Sequence, residues 1–270
     1  MKKNTNKLQR IMEVNKYELT DETIEYLGHT LHRIKALKDF GDIKKGDLGG
    51  FIEKEANLSQ NKDCWVGGNA KVFDNAWIYN NAMVFHNAQV FGFANVYDNA
   101  KVYGNAHVFD HACISGEAKV CEEAKVCGKA CVRNNAEVFD KAKINGKAEV
   151  FDNAQVYGNA EVWQYAKVYS NAHVFDHAWI SGGVKVCGEA KVCGKAVIVD
   201  NAEVKEMSDY MVFQNNWSSG RNFTWTKSND MWIVGCFYGT GEELIEKAYK
   251  DSEESGKNYE KYVKFVETFK

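Results

Sequence analysis

The chain has 270 residues, 45% of them hydrophobic, enough to bury a substantial core in one or two domains. Its 34 Lys+Arg against 37 Asp+Glu leave a formal charge of -3, without the basic excess that grips duplex nucleic acid through its phosphates. Residues 1–20 carry no continuous apolar stretch of signal-peptide or membrane-span length, so a cytoplasmic protein that neither enters a membrane nor binds duplex nucleic acid is expected.

Residues 1–62 read as an N-terminal cap. Short strands are predicted at 17–19 and 30–37, separated by turn signals at 20–23 and Gly28. Gly41, Gly46, Gly49 and Gly50 then mark a tight loop, and the hexad-like EANLSQ at 55–60 is followed by two extra residues, Asn61 and Lys62.

From Asp63 a period of six takes over, as in NAKVFD, NAWIYN, NAMVFH and NAQVFG, and holds through NAEVKE to Glu206, 24 hexads in all. Ala and Val lie two apart in each hexad, so an extended segment points both inward and turns the residues beside them outward. The Asp, Gly, Asn or Lys that follow supply a corner. Three such strands close a triangular coil of 18 residues, giving eight coils about 40 Å long at about 4.8 Å per rung. Residues 18 apart are then stacked neighbours, and several are opposite charges: Lys119 with Glu137, Lys143 with Glu161, Glu149 with Lys167, Lys185 with Glu203. Three Lys-Lys neighbours, 101/119, 125/143 and 167/185, run against that pattern. The absence of proline suits long parallel ladders.

The repeat resembles that of the hexapeptide-repeat proteins, in which an aliphatic residue occupies one slot and a small residue the slot two before it. The resemblance covers just over half the chain and implies an all-β solenoid, a left-handed parallel β-helix, which spacing alone does not reveal. It also implies a homo-oligomer, with a trimer favoured. GDLGGFIEKEANLSQ leading into CWVGGNA, and a tail near WIVGCFYGT, are similar to a group of phage and prophage hexapeptide-repeat proteins. Residues 105–138 match 171–204 at 26 of 34 positions. The offset of 66 is not a multiple of 18, so the copies fall on different faces and read as a duplication.

Residues 207–270 read as a C-terminal α+β cap or oligomerisation domain. Strands are predicted at 210–214, 223–227 and 231–238, then a helix at 241–250 and an amphipathic one carrying Tyr259, Tyr262, Val263, Val266 and Phe269.

Many left-handed β-helices are acyltransferases that use a His general base beside a subunit cleft, often framed by a loop protruding from the coils. Here no loop interrupts 63–206. His107 and His173, at outward mid-strand positions, are the alternative catalytic pair, while His86, His111 and His177 sit at corners. Asp110 and Asp176 beside two of these read as turn formers. Cys121, Cys127, Cys187 and Cys193 follow Val, and six-residue spacing sends consecutive ones to different faces, too far apart for a zinc ion whose thiolates lie about 2.3 Å away. Cys113 and Cys131 differ, because 18 residues stack them on adjacent rungs; a reduced pair is expected in the cytosol. No metal or cofactor is implied.

Outward aromatics form ladders: Phe85, Tyr103, Cys121, Phe139, Tyr157, Phe175 on one face, Phe73, Phe91, Phe109 on a second, and Tyr79, Tyr97, then Phe151, Tyr169 on a third. They shield the backbone or meet another subunit, a partner or a ligand. Trp217, Arg221 and Trp225 could hold an anion or nucleotide between rings and guanidinium. The expectation is a non-catalytic binding or scaffold protein acting on a host protein or sequestering a small nucleotide-like ligand, with an inter-subunit acyltransferase as the alternative.

Overall fold

The hexad alternation builds the fold directly. The computed structural model describes residues 14–270, and the part of the expected N-terminal cap before Val14 lies outside them. Each hexad contributes a two-residue strand such as Lys71–Val72 or Gln89–Val90. Among the described residues these strands assemble into three sheets of parallel strands, a β-solenoid of about nine circuits. Val72, Val90, Val108 and Val126 are successive partners on one sheet, one hexad in three. All four, with Ala70, Ala88 and Ala106, are fully buried in one continuous core that runs from Tyr17 to Tyr210.

The parallel ladder begins one circuit ahead of the regular sequence phase. Phe51 pairs with Lys71 and Ile52 with Val72, and Leu58 bridges Ile78. Two extra residues, Asn61 and Lys62, hide this circuit from a six-residue period, and Lys62 takes them up at a φ of 59°. In that first circuit Gly50 stands where later hexads carry Ala, because a Cβ there would lie 2.6 Å from the Ala70 carbonyl.

Outward neighbours follow the same register. Lys119–Glu137 (2.7 Å), Lys143–Glu161 (2.8 Å) and Lys167–Glu149 (2.9 Å) form ion pairs across adjacent rungs. Lys185 and Glu203 are in register, yet the Glu203 carboxylate meets Lys205 at 3.3 Å. Lys101 with Lys119, Lys125 with Lys143 and Lys167 with Lys185 are paired as well.

The corners carry their own ladder. Asp74, Asp98, Asp110, Asp140 and Asp176 sit at φ values of 56–58°, a region that costs an L residue about 1 kcal/mol or more unless its surroundings hold it there. Each carboxylate accepts a hydrogen bond from the corner amide one circuit on: Gly92, Gly116, Gly128, Gly158 and Gly194, at 2.9–3.2 Å. Asp110 and Asp176 are thus turn formers in fact, engaged with the next rung.

The backbone ladder has a direction. Lys71, Phe73 and Asn75 each donate their N–H to a carbonyl of the following circuit, at 2.8–3.2 Å, and the hexads after them repeat this. The start of the coil therefore presents mostly acceptors and its end mostly donors, and an unmet buried group of either kind is costly.

Both ends are met in kind. At the start, the Lys16 ammonium donates to Cys64 O (2.8 Å), the Tyr17 hydroxyl to Leu58 O (2.7 Å), and the Asn57 amide to Ala76 O (2.9 Å). Burial lowers the Lys16 pKa, and these acceptors are what make its position tenable. Lys16 and Tyr17 open a hairpin of Tyr17–Tyr26 and His29–Ala36, which continues the first sheet in antiparallel fashion; the first strand runs on through the turn expected at 20–23, where its register shifts, and the second lies within a residue of its expected place. At the far end, Thr224 Oγ1 accepts from Val197 N (3.0 Å) and Ser228 Oγ from Glu203 N (2.7 Å). Tyr210 Oη accepts from Cys193 N (3.2 Å) and donates to Lys191 O (3.0 Å), standing in for a further rung.

Those acceptors belong to a small antiparallel sheet of Tyr210–Gln214, Asn222–Thr226, Met231–Val234 and Phe237–Gly239. Strand Asn222–Thr226 is buried on both faces: Thr224 faces the last circuit, while Phe223 and Trp225 face the helices α1 (Gly241–Asp251) and α2 (Glu253–Glu267). Tyr259, Val263 and Val266, the expected amphipathic stripe, pack in this second core. Thr240 caps α1, accepting from Glu243 N, and Ser252 caps α2, accepting from Ser255 N. No described helix is long and apolar enough to cross a membrane.

Thr224→Val keeps the shape of this buried residue but leaves the Val197 N–H without its acceptor. It is expected to lower stability by about 1–3 kcal/mol in urea unfolding, with faster hydrogen exchange at Val197. Ser228→Ala, where water can replace the hydroxyl at the exposed Glu203 N–H, is expected to cost less.

Candidate binding surfaces

The outward aromatics stack as their spacing implies. Phe139, Tyr157 and Phe175 lie 4.9 Å apart with planes within 3° of parallel. Phe73–Phe91–Phe109, Phe85–Tyr103, Tyr79–Tyr97 and Phe151–Tyr169 repeat this at 4.9–5.0 Å. The spacing is that of the rungs, and each ring covers one side of the next. Apart from buried Phe73, the rings are half-buried and keep an edge to solvent.

His107 and His173 fall on different sheets. His107 is flanked by Gln89 and Lys125, and half-burial followed by the Lys125 charge pulls its pKa below the ordinary histidine value, leaving it neutral near pH 7. His173 lies between Gln155 and Lys191, edge-on to the Tyr157 ring at 6.2 Å. His111 stacks on Phe93 at 4.9 Å.

The trio Trp217, Arg221 and Trp225 is dispersed. Trp225 is fully buried and donates its indole N–H to Asp230 Oδ1 at 2.9 Å. Trp217 packs edge-on to Tyr259 (5.0 Å) and stacks with Tyr262 (5.7 Å). Arg221 is exposed in the turn, its carbonyl accepting from Asn215 N and its N–H donating to Ser219 Oγ at 3.4 Å. With Trp225 inside the core, this trio offers no open slot for a stacked base.

Sequence reasoning overlooked a cleft of about 470 Å³ where the loop carrying Gly41, Asp42 and Ile43 overhangs the solenoid face at Met83 and Phe85. Its polar wall is a corner ladder in which the Asn81 amide donates to Asn99 (3.0 Å) and the Asn99 amide to Glu117 (2.6 Å). Asp42, Asp63 and Glu117 face a single Lys101 around it, a balance that repels phosphates. The glycines at 41 and 46 were the available signal, since both take positive φ to turn the loop.

His29, Glu53 and Asp74 form the one His-carboxylate cluster of metal-binding size among the described residues. Nδ1 of His29 faces Glu53 at 3.1 Å and Nε2 faces Asp74 at 3.5 Å. Although burial pushes its pKa up, hydrogen bonds from His29 and from Asp74 N (2.6 Å) hold the Glu53 carboxyl below its usual range. A metal could take only one of the two nitrogens, so the arrangement is that of an imidazole bridging two carboxylates and tying the hairpin to the first corners.

Glu149 joins Lys167 (2.9 Å) to Arg133 (3.0 Å), whose guanidinium also lies over Phe151. The Lys167 hydrogen bond, reinforced by Arg133, holds its carboxyl below the ordinary value of about 4.3. A depressed folded pKa stabilises above the unfolded value, and that contribution disappears as pH falls through the folded one. Glu149→Gln is therefore expected to cost less than about 1 kcal/mol at pH 7, with the difference from wild type vanishing in the acid limb of a pH-stability titration.

Against these surfaces and this fold, no family model matches the chain, and no curated protein matches it either.

Proposed function

We propose that the protein is a non-catalytic binding scaffold: a left-handed coil of regular 18-residue circuits over 63–206 that self-associates, as a trimer, in the cytoplasm. Its similarity in sequence to phage hexapeptide-repeat proteins makes a host protein the partner of choice. The observation that carries the reading is the ladder Phe139–Tyr157–Phe175, apolar ring edges repeated at 4.9 Å on a regular face. Such a surface suits a second protein surface better than an isolated small molecule. All eight cysteines, which lie among the described residues, are unpaired, in keeping with a reducing compartment. A small ligand held in the cleft beside Phe85 would be neutral or cationic in preference to a nucleotide, given its acidic lining.

A second reading, an acyltransferase with a site between subunits, draws on the neutral state of His107.

Tyr157→Arg copies the residue that Arg133 already places in the same hexad slot, so folding is expected to survive, as judged by circular dichroism. Wild type is expected to sediment as a multiple of the 30.5 kDa chain and the variant as a smaller species. A monomeric wild type across the micromolar range would remove the self-association claim. A thermal shift with acetyl-coenzyme A that His107→Asn abolishes would replace the binding reading with the enzyme.

A further inference from the structure

The fold brings two thiols into register at one point of the solenoid. Cys113 and Cys131 are direct partners on adjacent parallel strands, which places their Cα atoms about 4.8 Å apart. Disulfides accept about 4.4–6.8 Å, so the separation falls within their range. Both side chains occupy the outward slot between Ala and the aliphatic residue, and both are half-buried, within reach of a small solute.

Their surroundings are unlike those of the other outward cysteines. The Tyr97 hydroxyl lies 3.4 Å from Cys113 Sγ, and Arg133 follows two residues after Cys131, its guanidinium held by Glu149 and Phe151. The neighbouring Cys131 thiol, with Tyr97 and Arg133 in support, lowers the Cys113 pKa against the opposing effects of burial and Asp98. Burial instead raises Cys121, and lifts Cys127 to about 11. A thiolate with a second thiol one rung away is the arrangement that peroxides oxidise selectively.

We propose that Cys113 and Cys131 form a peroxide-sensitive dithiol that closes to a disulfide between successive circuits. The Cys113 thiolate attacks one oxygen of hydrogen peroxide; an S–O bond forms, the O–O bond breaks, and hydroxide leaves to become water on protonation. Cys131 sulfur then attacks the sulfenic sulfur of Cys113; the S–S bond forms, the S–O bond breaks, and a second water departs with the Cys131 proton. Two thiols lose two electrons, and one peroxide is reduced to two waters. The bridge closes one circuit of the coil covalently at mid-length, and a thiol reductant reverses it.

The experiment uses the full chain. Treatment with a few equivalents of hydrogen peroxide, followed by alkylation and peptide mapping, is expected to give a Cys113–Cys131 linked peptide that dithiothreitol removes. Iodoacetamide is expected to modify Cys113 at least about tenfold faster than Cys127 at neutral pH, with its pH midpoint below that of Cys127. In Cys131→Ser, the Cys113 sulfenic acid should be trapped by dimedone; in Cys113→Ser, Cys131 should stay a thiol. The same slot holds polar residues such as Gln89, Asn95 and His107 in other hexads, and circular dichroism verifies folding of both variants. The proposal is overturned if the folded wild type yields no Cys113–Cys131 peptide. Alkylation of Cys113 no faster than of Cys127, or oxidation of Cys131 at the wild-type rate in Cys113→Ser, overturns it equally.

Discussion

The rest of the molecule depends on a hydrogen-bond ladder with a net direction, in which each hexad passes three backbone N–H groups forward to the next circuit. That asymmetry is set by the hexad: the outward residue, the residue after the aliphatic one and the second corner residue all turn their N–H groups forward, to the Ala, aliphatic and first-corner carbonyls of the next circuit. It explains why the two caps differ in chemistry as well as in shape. A buried ammonium, a phenol and an amide donate to the first circuit, whereas two hydroxyls of the C-terminal sheet accept from the last. Tyr210, which does both at once, marks the place where a folded domain replaces one more turn.

Inside the coil the constraint is volume, and outside it is almost absent. The Ala and Val slots are filled with little variation and are fully buried over the whole length. The slots beside them hold Lys, Glu, His, Cys, Trp and Gln, because an outward side chain need only tolerate its neighbours one rung away. The corners lie between these extremes. Asp is useful there because its carboxylate reaches the next corner amide and offsets the cost of positive φ, which is why Asp and Gly so often stand 18 residues apart, as in Asp110 and Gly128 or Asp140 and Gly158. The same register that builds the structural ladders also brings together pairs with chemistry of their own, Cys113 with Cys131 among them.

What the sequence made legible was whatever repeats. The inward phase, the three-hexad circuit, the stacked rings and most of the charge pairs follow from period and alternation, and the strands and helices after Glu206 fell close to their predicted places, except that 231–238 folds back at Gly235 into two antiparallel strands. Features that break the period were hidden. The circuit of Phe51 and Leu58 lies behind the two-residue insertion at Asn61 and Lys62. Trp217, Arg221 and Trp225 look like neighbours in the chain, but Trp225 faces inward on its strand while Arg221 sits in the exposed turn before it. The cleft above Met83 and Phe85 needs a loop from outside the repeat, whose path no local pattern fixes. Nor could the pairing of Thr224 with Val197 be read beforehand, since it joins a side chain of one domain to the backbone of another.

The forward direction of the ladder makes the two ends of the bare coil mutually complementary, like the stud and socket of a toy brick. Stripped of its covers, one tube would extend another tail to nose without limit, each junction continuing the same hydrogen bonds. Lys16 with Tyr17, and Tyr210 with Thr224, are thus what turn a potentially endless fibre into a particle of fixed length.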